Sequence, residues 1–419
     1  MIELILTVLF LIILFTISYS VFKDVLCPSF VVIGTLVIIL CFYLAIFYIW
    51  PEQNYFITSV VLLLACMSFL AGSLLGRVKI KIKNRNNIYY KPNLKLPLNN
   101  MSLFILGAMI VISAILGGGY EYSISRIYRE AGSFVQQLND NNFVMDILLQ
   151  ILYGTTFIVE YSLITDIVYK EETAKRFTKA LLIIPMNIVC VVCGIRFTLF
   201  IELMYILSVA NIVYRLRNGK NNQRIISIAM KTIVGVVLVF IIDGFASSKI
   251  SQGRKISVLL LKYLTVGIYG LTNFISTFKF NSETFGAISF NNLYRALNLL
   301  GFNFEYRYSS ISKHYYVNET IGAANLYTAF MNLLTDFNYV GALVIMLLLG
   351  WMSTKVYCKI LNGGCKNIKP WIIIYSCAFY LCIALWIEQN PINMLLSSSF
   401  IVRVFIIVLE CKIIQYFNK

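Results

Sequence analysis

The chain has 419 residues, of which 59% are hydrophobic and 13% charged, and its mean hydropathy is +0.79. This composition excludes a soluble globular protein and is typical of a chain that crosses a membrane many times. The net charge of +16 does not indicate nucleic-acid binding, because the basic residues lie in short segments between apolar runs and no nucleic-acid motif accompanies them.

The apolar runs predict an all-α polytopic membrane protein with about eleven transmembrane helices. Residues 1–22 lack a basic start and a cleavage site, so we interpret them as a retained span and not a signal peptide. The short run 180–194 could join its neighbour through a break at Gly194. The predicted spans are 2–22, 28–49, 57–76, 101–119, 145–169, 180–194, 197–214, 225–243, 338–357, 371–388 and 394–414.

The charges between the spans predict their orientation. Residues 77–100 form the most basic connecting segment and are therefore expected in the cytoplasm. Alternation then places 170–179, 215–224, 355–369 and the C-terminus on the same side, with the N-terminus outside. Because every second connecting segment is basic, the orientation scheme is consistent along the whole chain.

The predicted outer segments divide the chain into three parts. Residues 1–243 form a transmembrane bundle with a moderate outer loop at 120–144, and 338–419 form the C-terminal spans. Between them, 244–337 form a large outer loop, and loops of this size are usually functional. Its apolar stretch 259–278 is either a re-entrant segment or a further span.

Two helical patterns stand out in this outer loop. The segment 291–301 carries an apolar stripe and predicts an interfacial helix on the outer surface. From Asn325 to Gly341, a helix would carry a polar stripe into an apolar run, so the stripe should face a cavity or other protein groups. Plain polar contacts between helices are the alternative. The stripe comprises Asn325, Thr328, Asn332, Thr335, Asp336 and Tyr339.

Arginines at the predicted outer boundary are candidate anion ligands. An arginine there is costly unless it is paired or faces an anion, and its planar fork suits phosphate. Contact with lipid head groups is the alternative. These residues are Arg196, Arg254, Arg295 and Arg307, with Arg403 just inside the last span.

The sequence offers little support for metal or nucleotide chemistry. It has no Asp-x-Asp motif, one histidine and no Gly-x4-Gly-Lys-Ser/Thr loop, so we expect no metal or other cofactor. Most of the ten cysteines lie in predicted spans and the large outer loop has none. Cys190 and Cys193 have redox spacing, but on an apolar helix we interpret them as packing residues.

Several segments resemble the oligosaccharide repeat-unit polymerases of the O-antigen (Wzy) type. The family motif Asn-x-Tyr-Thr-x-Phe followed by Asp-Phe-Gly-x-x-Gly is similar to Asn325–Phe330 and Asp336–Gly341, with Asn338 in the position of the glycine. The resemblance covers roughly residues 194–341. Its further parts are Gly194-Ile-Arg196, Tyr263-Leu-Thr-Val-Gly267, and Phe285-Gly286-Ala-Ile-Ser289-Phe290 followed by Tyr294-Arg295.

The resemblance implies a GT-C-like polymerase/ligase architecture in the bacterial inner (plasma) membrane. It implies a membrane glycosyltransferase that joins undecaprenyl-diphosphate-linked oligosaccharides, without a metal, into O-antigen of lipopolysaccharide or into capsule on the outer face. Membrane lipids, a flippase and a chain-length regulator are the expected partners, and nucleic acid is not. An O-antigen ligase shares this architecture, and a lipid-linked oligosaccharide flippase is the alternative from another class.

The same resemblance, read with the residue chemistry, gives expected roles to individual side chains. Arginines would stabilise the departing diphosphate, and a carboxylate or imidazole would activate the acceptor hydroxyl. Asp336 is the first candidate for the base and His314, the one histidine, is the second. The expected substrate-binding residues are Arg196, Arg254, Arg295, Tyr263, Asn325, Tyr327 and Thr328.

Overall fold

The computed structural model describes most of the chain as helices grouped in two compact units. Its only strands in the described part are β1 (Tyr315–Tyr316) and β2 (Ala323–Ala324), which pair antiparallel. The described residues are 1–77, 143–169, 179, 183, 196–218, 256–280, 285–306, 315–316, 323–324, 328–362, 368–386 and 390–417.

The first unit comprises residues 1–80, 255–359 and 381–397, and the second comprises the remainder. Helices of the first unit are α1 (Ile2–Phe22), α2 (Pro28–Ala45), α3 (Phe56–Gly76), α6 (Ile256–Thr277), α7 (Asn291–Leu299), α8 (Ala329–Leu361), α10 (Leu381–Ala384) and α11 (Pro391–Leu395). Helices of the second unit are α4 (Phe143–Tyr169), α5 (Arg196–Asn218), α9 (Ile368–Ala378) and α12 (Ser398–Phe417).

Four of the described helices, α1, α2, α3 and α8, are long and apolar enough to cross a membrane. The chain is therefore a helical membrane protein. The spans predicted at 145–169, 197–214 and 394–414 lie largely within α4, α5 and α12. Those predicted at 101–119 and 225–243 lie outside the described residues, and of 180–194 only residue 183 is described.

Two predicted spans end differently in the structure. The span predicted at 28–49 stops at Ala45, followed by a 3-10 turn at Phe47–Ile49. The turn brings the Trp50 ring back onto Tyr43, with ring centroids 5.1 Å apart. The span predicted at 371–388 is interrupted between α9 and α10, where the Phe379 amide donates to the Ser376 carbonyl in a tighter turn.

The apolar stretch 259–278 lies in the single helix α6, whose 22 residues rise about 33 Å. Its C-terminal half lies beside the first part of α8: Gly267, in the middle of α6, approaches Thr328, and the Phe278 ring just after α6 meets Tyr339 edge-on at 5.9 Å. A helix of this length can cross a membrane. The prediction that 244–337 forms a single outer loop therefore requires α6 to stay on the outer side of the membrane.

Helices α3 and α8 touch backbone to backbone through small residues. A Cβ added at Gly72 or Gly76 would collide with the carbonyl oxygen of Leu347 or Trp351, and one at Gly350 would collide with that of Phe69. Close approach through small residues is a recognised way for membrane helices to associate, since van der Waals packing drives it.

This packing brings several chain segments to one end of the first unit. The end of α3 lies beside Trp351, the Arg77 guanidinium stands over the Phe22 ring, and the Tyr357 hydroxyl donates to the Asp24 carboxylate. Arg77 and Tyr357 belong to segments predicted to share a side of the membrane. Which side of the membrane this end occupies stays a prediction from charge.

The second unit has a polar interior. Arg403 donates two hydrogen bonds to the Gln150 side-chain oxygen and stands over the Tyr153 ring. Thr155 donates to Glu410 at 2.8 Å, and Lys179 pairs with Asp166 on α4. The charges of Arg403 and Lys179 therefore have partners inside this unit, as charges buried within helices require.

Candidate functional site

Asp336 is the centre of a polar cluster in the first unit. Its side chain is fully buried, and its two oxygens accept hydrogen bonds from the backbone amides of Ile288 at 3.1 Å and Ser289 at 2.6 Å. Its own carbonyl accepts the Gly286 amide at 3.4 Å. The segment Phe285–Phe290, here called the outer turn after its predicted side of the membrane, thus contacts Asp336 of α8 through three backbone amides.

Glycine is required at the start of the outer turn. Gly286 has a φ of +69°, which side chains other than glycine rarely adopt. A Cβ there would lie 2.6 Å from the Phe290 ring and 3.0 Å from the Tyr294 hydroxyl. Because the backbone turns this tightly, successive amides point toward the Asp336 carboxylate, an arrangement that favours an anion.

The outer turn is held from a second direction by two asparagines. The Asn390 side chain donates to the Ser289 hydroxyl at 2.8 Å, while its oxygen accepts the Ile392 amide and caps α11. One turn further on, the Asn292 side chain donates to the Asn393 side-chain oxygen at 2.8 Å. Segment 289–292 therefore has one attachment to α8 and another to α11.

Asn338 gives α8 a sharp kink two residues after Asp336. Its φ of 59° and ψ of −177° lie in a region populated almost only by glycine. The Tyr339 amide donates to the Asn338 side chain at 2.7 Å. The residue that replaces the motif glycine thus keeps a glycine-type backbone. The kink separates the buried segment 329–337 from the long apolar part of α8.

Tyr294 on α7 contacts the first residue of the outer turn. Its hydroxyl donates to the Phe285 carbonyl at 3.1 Å, and its ring stacks on Phe304 with centroids 4.8 Å apart. Partial burial, together with the negative charge of Asp336, raises the pKa of the Tyr294 hydroxyl. Tyr294 therefore acts here as a neutral donor.

The polar stripe expected on α8 is only partly separated from the apolar face. Phe330, Leu333 and Leu334 are buried, but so are Thr328 and Asp336. The start of α8 is therefore enclosed by protein on both faces. The Thr328 hydroxyl has no hydrogen-bond partner among the described residues, so a polar group of a ligand could occupy that position.

The remaining predicted site residues are not all brought together. Arg295 is exposed on α7, one residue after Tyr294. Arg196 opens α5 in the second unit, and Tyr263 lies within α6. The residues predicted at the site that lie outside the described part of the chain are His314, Arg254, Asn325 and Tyr327.

Sequence reasoning missed Asn390 and Asn393, because they stand in a short gap between two predicted spans. A signal was present: Asn390 directly precedes Pro391, and asparagine followed by proline is typical of a helix N-terminus. That pattern predicts the short helix α11. It does not predict that the side-chain nitrogen of Asn390 donates to the hydroxyl of Ser289, 101 positions earlier.

A separate pair of carboxyl groups lies in the second unit. Glu160 on α4 and Glu202 on α5 are 1% and 3% exposed and near enough for their charges to repel. Neither oxygen of Glu160 has a hydrogen-bond partner within the described ranges, and neither does Oε1 of Glu202. Two such groups inside a membrane protein are costly, which makes the pair a candidate for function.

No protein-family model, no curated protein and no solved structure shows a significant match to this chain. No group of three or more His, Cys, Asp and Glu residues with metal-binding geometry occurs in the part of the chain that is described.

Proposed function

We propose that this protein is an oligosaccharide repeat-unit polymerase of the bacterial inner membrane. It would transfer a growing glycan from undecaprenyl diphosphate to a hydroxyl of the next lipid-linked unit on the outer face, without a metal. About eleven spans in a GT-C-like arrangement and an outside N-terminus belong to this proposal. The product would be an O-antigen or a capsule.

One observation carries the proposal. Two of the segments that resemble the family, the outer turn and the Asp336-Phe-Asn338 segment, are hydrogen-bonded to each other across 47 positions of sequence. Sequence resemblance alone does not require these segments to meet. Their contact through Asp336, the one charged and fully buried side chain of the motif, supports a common functional unit.

The geometry favours a positioning role for Asp336. A general base must come within hydrogen-bond reach of the proton it removes. Both Asp336 oxygens are already occupied by the outer turn, and the side chain is fully buried. We propose that Asp336 sets the shape of the outer turn and that His314 is the base. Asp336 itself could act as base only after the turn releases one oxygen.

The arginines supply the charge that the departing diphosphate requires. We propose that Arg295, exposed on α7 beside the cluster, binds phosphate oxygens through its planar fork, and the same role for Arg196 stays a prediction from the sequence. Arg254 can join them only if it stands on the outer side of α6. Tyr263, Asn325, Tyr327 and Thr328 are proposed to bind the sugars.

A reconstitution experiment tests the proposal. Purified protein in lipid nanodiscs is mixed with undecaprenyl-diphosphate-linked repeat units in EDTA, and products are separated by size. A ladder of increasing length supports polymerisation, and a single transfer product to an added acceptor indicates the ligase. The Gly286→Val variant, which should disrupt the outer turn, is the negative control. No product with native protein and several repeat units would contradict the proposal.

A flippase is the second candidate, and the Glu160–Glu202 pair is the observation that favours it. Carboxyl groups inside spanning helices are common in ion-coupled transporters. A transport assay with fluorescent lipid-linked sugar in liposomes distinguishes the two functions. Transfer of the lipid between leaflets without glycan growth would establish the flippase and exclude the polymerase.

A further inference from the structure

The segment Leu299–Phe304, here called the apolar tip, exposes large hydrophobic side chains outside any helix long enough to span a membrane. Leu299 is 89% exposed, Leu300 is 76% exposed and Phe302 is 55% exposed. Contiguous exposed apolar groups of this size mark a surface that another phase or molecule covers.

The apolar tip is held rigidly. The Asn298 side chain donates to the Phe304 carbonyl at 2.9 Å and accepts the Phe304 amide at 2.8 Å, so the two ends of the loop are bonded to each other. Gly301, with a φ of +96°, makes the turn, and its amide donates to the Asn298 carbonyl. Bonds within the loop itself therefore hold the exposed leucines in their outward position.

The apolar tip is also coupled to the outer turn. The Phe304 ring stacks on Tyr294, whose hydroxyl bonds the first residue of that turn, Phe285. Phe285 is 57% exposed and meets the Phe337 ring edge-on at 5.1 Å. Exposed apolar surface thus continues from the tip toward the kink of α8.

Beyond that kink, the membrane-crossing part of α8 carries an exposed apolar stripe. Its members recur every four residues, as one face of a helix requires, and they are Val340, Val344, Leu348 and Met352. In a helix that crosses a membrane, such a face contacts lipid chains. The lipid-facing surface of α8 therefore begins at Val340, three residues after Phe337, which contacts Phe285.

We propose that the apolar tip inserts into the hydrocarbon edge of the lipid leaflet beside the first residues of the exposed stripe of α8. Leu299, Leu300 and Phe302 lie among the lipid chains, while Arg295 on the preceding helix stays at head-group level. The insertion fixes the depth of the outer turn relative to the membrane surface. The proposal requires only that α8 crosses a membrane, and it holds whether or not the protein is a polymerase.

Spin labelling in nanodiscs of phosphatidylethanolamine and phosphatidylglycerol tests the insertion. Nitroxides are attached to Leu300→Cys and Phe302→Cys in a background without native cysteines. Val344→Cys serves as the lipid-facing reference and Glu305→Cys as the water-facing reference. We expect the ratio of oxygen to nickel-chelate accessibility at 300 and 302 to equal that at 344 and to exceed that at 305 several-fold.

Three outcomes would overturn the insertion. Nickel accessibility at 300 equal to that at 305 would show a tip in water. Low accessibility to both reagents would show a tip covered by protein, either a second copy or a partner. An accessibility ratio at 300 that matches the lipid-facing reference in detergent micelles but not in nanodiscs would show that lipid is not the occupant. A folded protein is verified in each case by the unchanged signal at 344.

Discussion

The Asp336 carboxylate and the Ser289 backbone amide are joined by a hydrogen bond of 2.6 Å, although 47 positions separate them in sequence. Hydrogen bonds to a charged group contribute more than neutral ones, about 1.5–3 kcal/mol each. Because the Ile288 amide donates to the other oxygen, the carboxylate is matched to two donors. The shape of the outer turn therefore depends on an acceptor-only side chain at position 336.

Replacing Asp336 by Asn should destabilise the outer turn, because an amide accepts at one atom and would present N–H groups to the second backbone donor. We expect a loss of about 1–3 kcal/mol in stability, measured by thermal unfolding in detergent, together with a loss of polymer. Thr335→Ala is the matched control, since within the described residues the Thr335 hydroxyl bonds only its own helix, at Met331.

The same variant separates the two roles proposed for Asp336. Normal stability with no turnover would identify Asp336 as the base and would refute the positioning role. Normal stability with normal turnover would remove both roles, and His314→Ala would then be the decisive variant.

At Asn338, backbone conformation and residue type are in conflict. Residues other than glycine pay about 1–3 kcal/mol in this φ/ψ region. Asn338→Gly should keep or raise stability even though it loses the bond from the Tyr339 amide. Asn338→Leu should lower stability and polymer yield. Equal melting temperatures for the Gly and Leu variants would show that the kink is not formed. Val340→Ala, at a nearby position of the same helix, is the control for the loss of a side chain.

Sequence periodicity predicted the helices whose hydrophobicity is continuous, and it failed where polar contacts between distant segments decide the structure. The ends of α1 and α3 follow the apolar runs closely. The kink at Asn338 is not visible in the apolar period of α8, and the bond from Asn390 to Ser289 joins residues 101 positions apart. Asp336 was found through its motif, but its partners Ile288 and Ser289 could only be seen in three dimensions.

Close contact between α3 and α8 should make glycine at position 350 essential. Gly350→Ala places a methyl group on the Phe69 carbonyl oxygen, so the two backbones must separate. We expect a loss of about 1–3 kcal/mol, typical of overpacking, measured by thermal unfolding. Gly34→Ala is the matched helical control, because its added methyl would meet only the Phe15 ring, which can rotate. Similar costs at both positions would contradict a backbone contact.

Membrane topology can be measured by labelling single cysteines with an impermeant reagent in intact cells. Asn54→Cys and Glu305→Cys should be labelled from outside, and Asn86→Cys only after permeabilisation, because the basic segments are predicted to be cytoplasmic. Labelling of Asn86→Cys in intact cells would reverse the orientation.

Position 254 decides the role of α6. If Arg254→Cys is labelled only after permeabilisation while Glu305→Cys is labelled in intact cells, α6 crosses the membrane and Arg254 cannot bind substrate on the outer face. Labelling of both from outside would keep 244–337 as one outer loop. The two variants therefore test together whether α6 crosses the membrane and whether Arg254 can bind the diphosphate.

Neutralising a buried carboxyl group in the second unit should lower stability strongly where the group pairs with a cation and hardly at all where it faces another carboxyl group. Asp166 pairs with buried Lys179, so Asp166→Asn leaves an uncompensated charge and should cost about 3–5 kcal/mol. Glu160 has no such partner among the described residues and faces another carboxyl group, so Glu160→Gln removes repulsion and should leave stability within about 1 kcal/mol of native. Thermal unfolding of both variants in one detergent gives the comparison.

If the protein is a polymerase, Glu160→Gln should also retain polymer formation. A well-folded Glu160→Gln protein that has lost transfer of lipid between leaflets would instead give the pair a transport function and move the assignment to the flippase.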